Sequence, residues 1–371
     1  MDRACHISRE NVSSALAFVA DCCHHRNVSG AHATISKEQT MTHHLVLGAG
    51  GVGRSTTAAL VALGHTVTLA SRSGRVVERP WQDTHPDAVE VVAVDASDGS
   101  ALTALAGGAA SIVNAVNPPS YMTWDTDWPP IAAATLTAAE ESGAGLVIIG
   151  NLYGYGEVEA PMHEDDPMRP SGHKGRIRAD MWTEALARHE AGRLRVTELR
   201  SSDYFGPGTT PRTSYLGDVV IDALLAGRPP FVPAGRADAP HSWTYVPDVG
   251  RLAARVAAGD DGWGRAWHVP TAPARTFDEA AGDVARVAGV KQRRVRVLPR
   301  PLGTAAGAVV PFMRELRETR HQFERPFVLD SELTQRTFGL APTPWDEALT
   351  TTVAARRAAK AAKPAHAGAA A

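Results

Sequence analysis

His44-Leu-Val-Leu-Gly48-Ala-Gly50-Gly51-Val-Gly53 is the stretch that decides how this chain is read. Its first half is a short apolar run suited to a strand, and Val52–Leu63 continues with apolar residues three and four apart, as on one face of a helix. Between them lies a Gly-x-Gly-x-x-Gly turn. In that position the first glycine permits a tight turn, the second lets backbone approach a pyrophosphate, and the third lets helix pack on strand. The amino end of the helix then favours an anion. Gly48, Gly50, Gly51, Val52 and Gly53 are therefore the candidate dinucleotide-binding residues.

The same alternation runs outward from this turn. Strand-like segments are expected at 66–70, 89–94, 111–116, 146–149 and 194–199, and helices at 131–142 and 175–189. Apolar strands separated by helices imply an α/β fold with a doubly wound parallel sheet covered on both faces, a Rossmann fold. After about Phe205, prolines and glycines cluster at Gly206-Pro-Gly208, Arg228-Pro-Pro230 and Pro233-Ala-Gly235. That change marks a smaller carboxyl-terminal substrate lobe. The expected organisation is a non-core extension over 1–40, a dinucleotide-binding domain over 41–205 that can recruit later segments near 242–258, and a substrate lobe over 206–345. Residues 346–371 read as an Ala-rich tail, of which Ala354–Ala371 lacks large apolar anchors and is expected as a fraying helix or a disordered end.

Composition narrows the class of function. The 371 residues carry 38 Lys plus Arg against 40 Asp plus Glu, so no basic excess points to nucleic acid. No apolar run reaches the length of a membrane helix, so neither a nucleic-acid nor a membrane partner is expected. The three cysteines, Cys5, Cys22 and Cys23, all fall before residue 24, which excludes a disulfide framework for the body and agrees with a cytoplasmic setting. The Cys22-Cys23-His24-His25 cluster lacks the spacing of zinc ligands, and no metal is expected.

The end of the second strand decides which dinucleotide fits. An NAD-selective fold places an acidic residue there for the ribose 2′-hydroxyl. From Arg54 to Val77 there is no Asp or Glu, and the strand ends Ala70-Ser71-Arg72-Ser73. Arg72 beside two hydroxyls suits a 2′-phosphate, so NADP(H) is favoured over NAD(H). Asp95, after the third strand, is placed either to reach the adenine or to cap the following helix. Asn114, after the fourth, is placed either to line the cofactor channel or to bond local backbone.

Gly48–Gly53, Gly150-Asn-Leu-Tyr-Gly-Tyr-Gly156, Leu199-Arg200 with Phe205-Gly-Pro-Gly208, His241 with Tyr245-Val-Pro-Asp248, and Phe338-Gly-Leu-Ala-Pro-Thr-Pro344 come in an order that resembles the extended short-chain dehydrogenases. These form the NAD(P)-dependent epimerase/dehydratase family. The resemblance spans about 41–357. It implies a Rossmann domain, a small substrate domain and often a homodimer. It also implies a Ser or Thr with a Tyr and Lys four residues apart, the Tyr phenol moving a proton to or from the substrate oxygen.

This chain departs from that pattern. Asn151 falls where the Ser or Thr belongs, and Lys174 lies near the Lys position, but Pro170 stands four residues before it. None of the tyrosines at 121, 153, 155, 204, 215 and 245 has a Lys four residues later. Tyr153, on the loop after the fifth strand, is the expected proton donor, with Lys174 contacting cofactor and Asn151 orienting a carbonyl or water. Tyr121 and Trp124 in a Pro-rich loop, with Arg200 and Asp203 after the sixth strand, are the candidate substrate residues. Arg200 and Asp203 either flank substrate or brace each other.

The function this supports is an NADP(H)-dependent oxidoreductase acting on a carbonyl or hydroxyl of a small organic molecule. Nucleotide-sugar epimerisation or dehydration is the alternative within the family. Outside it stand a non-catalytic NAD(P)-binding sensor and a non-redox isomerase or cyclase.

Overall fold

The computed structural model describes residues 41–159, 161–209, 213–233, 235–299, 301 and 318–362. The 1–40 extension and its Cys22–His25 cluster lie outside the described residues, as does 302–317. Residues Met41–Ala371 group as one unit.

Seven parallel strands form the central sheet in the order β10-β6-β5-β4-β1-β2-β3. They are β1 (His43–Leu47), β2 (Thr66–Ser71), β3 (Val89–Ala93), β4 (Ser111–Asn114), β5 (Gly145–Asn151), β6 (Val196–Ser201) and β10 (Ala266–His268). β1 pairs with β2 on one side (Leu47 with Ala70) and with β4 on the other (Leu47 with Asn114). Strand order therefore reverses between β1 and β4. The loops leaving those two strands diverge, which opens the crevice where doubly wound sheets bind ligands.

Alternation along β1 explains why both faces are covered. Leu45 and Leu47 point to one side with Ile112, Leu146 and Val196, packing on α2 (Gly99–Ala106), α3 (Trp124–Ser142) and α4 (His173–Glu190). Val46 points the other way with Val67, Val113, Val147 and Leu199, against α1 (Gly51–Ala62) and α6 (Val246–Ala257). On α6, Val249, Leu252 and Val256 are fully buried. At about 1.5–3 kcal/mol per buried aliphatic side chain, this face alone anchors the helix. The sheet thus draws β10 and α6 from beyond residue 205.

The rest of the chain between 203 and 301 is built on two small parallel pairs. β7 (Asp203–Phe205) runs beside β9 (Trp243–Tyr245), and β8 (Phe231–Val232) beside β11 (Arg296–Val297). Their core gathers Phe205, Leu216, Val220, Trp243, Phe277 and Val284. A π-helical turn (Leu216–Ile221), α5 (Asp222–Leu225) and α7 (Phe277–Ala288) surround it. Helices α8 (His321–Glu324), α9 (Glu332–Phe338) and α10 (Trp345–Ala361) complete the described chain.

Two expectations need correction. The segment from 346, read as a tail, forms α10, and Trp345, Ala348, Leu349 and Val353 bury its first half in the small core. Its anchors Trp345, Leu349 and Val353 recur at four-residue spacing on one face of the helix. Tyr121, Trp124 and Trp128 also do not lie in an irregular loop. Tyr121 opens a 3-10 turn, and α3 begins at Trp124 in spite of Pro129 and Pro130, with Trp124 and Trp128 buried. Burial of two indoles outweighs the helix-breaking tendency of two prolines. Among the described residues no helix is long and apolar enough to cross a membrane.

Candidate functional site

The glycine turn adopts the geometry its spacing predicts. Gly48 has φ +99°, and its amide donates to Ala70 O at 2.8 Å. A side chain at Gly53 would place Cβ 1.8 Å from Gly48 O, so strand and helix meet only because that atom is absent. Around Gly50 a Cβ would meet nothing within 4 Å, which leaves open space in front of α1. Gly50 is the helix N-cap, no side chain caps it, and the first turn holds no acidic residue. Such a helix start offers backbone N–H groups to an anion. Val52 follows in the first turn, half-buried.

Arg72 and Asp95 leave neighbouring strands, since Ser71 pairs with Ala93. Both are exposed. The Asp95 carboxyl is held below its ordinary range, chiefly by the Ser97 amide (2.9 Å) and hydroxyl (2.7 Å), with Arg72 adding a smaller Coulombic contribution. Asp95 does not cap α2; Asp98 does, accepting from the Ala101 amide at 3.0 Å. Asn114 is buried at the end of β4, and its Oδ1 accepts from the Val116 amide at 3.2 Å. It shapes the loop over the crevice through its own backbone.

The loops after β4 and β5 bring the aromatic residues together. The hydroxyls of Tyr121 and Tyr153 lie 2.9 Å apart, and Trp124 stacks on Tyr153 with centroids at 6.1 Å. Asn151 Oδ1 accepts from the Tyr153 amide at 3.1 Å and so fixes the turn that presents Tyr153. Lys174, buried at the start of α4, puts its ammonium 5.5 Å from the Tyr121 ring centroid and 3.2 Å from Glu318 Oε2. Its backbone amide donates to the same carboxylate. Burial raises the Tyr121 phenol and pushes Tyr153 well above its ordinary value, and the charge on Asp203 acts in the same direction on both. Both phenols are therefore protonated at neutral pH and can donate.

Arg200 is not placed as a substrate residue. It is buried, with Nε donating to Glu198 at 2.7 Å and Nη1 to the Tyr155 hydroxyl at 2.8 Å. Tyr155, pushed up to about 12 mainly by burial, in turn meets His268 Nε2 at 2.8 Å. This is internal bracing between β5, β6 and β10. Arg200 and Asp203 do not pair either, because successive residues leaving a strand point to different sides. Asp203 bonds His241 Nε2 at 2.8 Å instead. Trp124 supports Tyr153 from the core and does not line a mouth.

Three residues in this region escape sequence reasoning. Arg178 reads as a solvated helix charge but is buried under Trp128, 4.6 Å from its ring, and donates to Ile149 O at 2.7 Å. Its spacing of four from Lys174 was the available signal. Glu318 comes from a distant segment and carries no local signal, and His241 belongs to the run that ends at Asp248, where nothing marks its pairing with Asp203. Among the described residues no group of three or more His, Cys, Asp or Glu is arranged to hold a metal ion.

Comparison with known proteins agrees with this architecture. Residues 44–124 match the family described as Saccharopine dehydrogenase NADP binding domain. No curated protein matches. Among solved structures, UDP-N-acetylglucosamine 4-epimerase from Methanobrevibacter ruminantium is similar with TM-score 0.70 and 15% identity, over 86% of this chain and 99% of that one. DesIV, a dTDP-glucose 4,6-dehydratase from Streptomyces venezuelae with NAD bound, gives 0.69 and 19%, over 86% and 98%. UDP-glucose 4-epimerase from Thermus thermophilus in complex with NAD gives 0.66 and 20%, over 86% and 100%. The chain therefore has the fold of the nucleotide-sugar epimerases and dehydratases, with a Rossmann dinucleotide-binding domain at the start of its described part.

Proposed function

We propose that this chain is an NADP(H)-dependent oxidoreductase of the epimerase/dehydratase type that acts on a carbonyl or hydroxyl of a small organic molecule. The observation that carries the reading is the Tyr121–Tyr153 hydroxyl pair, with the Lys174 ammonium over Tyr121, on the sheet edge that also holds the glycine turn. The residues present fit a dinucleotide: Gly50 leaves the space, and the uncapped start of α1 supplies amides for the pyrophosphate. Arg72 is placed for a 2′-phosphate, with Asp95 beside it as the neighbouring carboxylate.

When bound, the nicotinamide supplies or accepts a hydride at a substrate carbon. The chain handles the proton. Tyr153 donates from its hydroxyl to the carbonyl oxygen, and the Arg178 charge, which favours the ionised phenol, stabilises the phenolate left behind. Asn151 positions the phenol, its carbonyl oxygen accepting from the Tyr153 amide. Two tyrosines from separate loops thus stand in for the single Tyr whose position is taken by Pro170, in the segment before α4.

Nucleotide-sugar epimerisation or dehydration is the second reading, favoured by the UDP- and dTDP-sugar enzymes of the same fold. A fluorescence titration with NADPH and NADH, on the wild type and Arg72→Ala, tests the cofactor. Wild type should prefer NADPH, and the variant should lose roughly tenfold to a hundredfold for NADPH alone, the worth of a charge-assisted phosphate contact. Binding of neither nucleotide sinks the proposal. Oxidation of NADPH by a simple carbonyl, as opposed to turnover of UDP- or dTDP-glucose without net cofactor consumption, separates the two readings.

A further inference from the structure

Two buried histidines in this chain have opposite hydrogen-bond requirements. His268 Nδ1 faces the carbonyl of Asp330 at 2.5 Å, and Nε2 faces the Tyr155 hydroxyl. Arg200 already donates to that hydroxyl oxygen, so its O–H is free to donate to Nε2. One N–H and one lone pair satisfy both sides, which a neutral ring provides. His241 Nδ1 also faces a carbonyl, Gln322 O at 3.0 Å, but its Nε2 faces the Asp203 carboxylate at 2.8 Å. Two acceptors on a ring require two N–H groups. Both hydrogen bonds are made only when the pair holds one proton more than a neutral imidazole and a carboxylate.

The ring cannot turn away from this arrangement. It is 1% exposed, stacked between Phe323 (4.9 Å, 12° between planes) and Phe327 (5.4 Å, 25°), with Trp243 at 4.3 Å. Asp203 is the open end, with its side chain 25% exposed against 2% for His241. Asp203 and Tyr153 leave neighbouring strands at the same end of the sheet. Asn151 pairs with Ser201 across β5 and β6, and Tyr153 and Asp203 each lie two residues further along. The charge on Asp203 is felt at both Tyr121 and Tyr153.

We propose that Asp203 and His241 form the proton store that recharges the Tyr121–Tyr153 pair. This rests on the reductase reading. Reduction adds a hydride to the carbonyl carbon, supplied by the reduced nicotinamide, and a proton to its oxygen, supplied by Tyr153. The phenolate takes the His241 Nε2 proton through the Asp203 carboxylate, and the pair regains one proton from water at the exposed edge of Asp203. Atoms and charge balance over one turnover. Other charged or titratable groups around the pair are Tyr204 on β7, Arg178 on α4, Arg275 beside the His241 backbone, and His321 and Glu324 on α8 with Arg320 before it. Arg178 is committed to Ile149 O and Glu198, Arg320 to Glu324, and Arg275 to carbonyls of its own loop and to Asp283, and Asp203 is the acceptor 2.8 Å from Nε2.

The test reads the proton directly. In the full chain with ¹⁵N-labelled histidine, without nucleotide, His241 should carry protons on both nitrogens at neutral pH, and Asp203→Asn should leave only Nδ1 protonated. A wild-type ring with bare Nε2 overturns the proposal, and needs no variant to fold. With NADPH and isatin as the carbonyl probe, Asp203→Asn and His241→Gln should lower kcat tenfold or more at pH 8 and clearly less at pH 6, where water supplies protons more readily. Equal losses at both pH values mean a purely structural pair and also overturn it. Wild type that neither binds NADPH nor reduces isatin refutes the oxidoreductase reading, while the state of the ring still decides for or against the proton-loaded pair.

Discussion

Replacing His44 by Gln is expected to remove a large part of this protein's sensitivity to mild acid. His44 lies in the middle of the sheet's amino edge, fully buried, with Nδ1 at 2.9 Å from Ser111 Oγ and Nε2 at 2.9 Å from Thr42 Oγ1. The His65 ring stands edge-on 4.9 Å away. Burial first, then the charges of His65 and His43, lower its pKa from 6.5 to about 4. The folded chain therefore holds His44 neutral, while the unfolded chain protonates it near 6.5, so stability is complete above 6.5 and falls as pH drops towards 4. The full difference is worth about 3 kcal/mol, of which about 2 kcal/mol is lost between pH 7 and pH 5. His268, His65 and His321 shift in the same direction, so the total loss exceeds that of one group. The pH 7 to pH 5 change in unfolding free energy, from urea melts of wild type and His44→Gln, isolates it. Gln can still bond Ser111 and Thr42 but does not titrate, so the variant should lose about 2 kcal/mol less than wild type. Equal losses in the two proteins, or an NMR titration of the His44 imidazole near 6.5, would refute the reasoning.

Other outcomes follow from single contacts. Gly53→Val drives a side chain into Gly48 O, 1.8 Å from where Cβ must sit, so nucleotide binding should fall at least a hundredfold in a fluorescence titration. Tyr153→Phe keeps the stack on Trp124 but removes the proton, so carbonyl reduction should drop 10²–10⁴-fold while the Kd for NADPH stays put. Asp248 is buried and accepts from the Thr343 amide at 2.8 Å and hydroxyl at 2.6 Å, with Arg251 at 2.9 Å. Asp248→Ala strands the Thr343 amide and hydroxyl, while the part-exposed Arg251 keeps Ala341 O, and should cost about 2 kcal/mol in a thermal melt, with no change in cofactor preference at equal folded fraction.

Much of this molecule is written locally. The glycine turn, its strand and its helix are legible because Gly48 needs a positive φ and Gly53 needs the missing Cβ, constraints that act within ten residues. The parallel sheet is legible because strands covered on both faces must be apolar throughout, as Leu45–Leu47 and Leu146–Ile149 are. Arg72, Asp95 and Asn114 could be placed at strand ends for the same reason. What a side chain meets across the fold is a different matter. Pro129 and Pro130 argued against a helix, and only the burial of Trp124 and Trp128 against their neighbours decided otherwise. Arg200, Arg178 and the His241–Asp203 pair look like ordinary polar residues in the sequence. Apart from Glu198 beside Arg200, their partners lie tens of residues away, and a buried charge or imidazole acquires its role from which acceptors the tertiary structure sets against it. The same holds for the phenol pair: residues 121 and 153 share no local pattern, and only the adjacency of β4 and β5 brings their hydroxyls together.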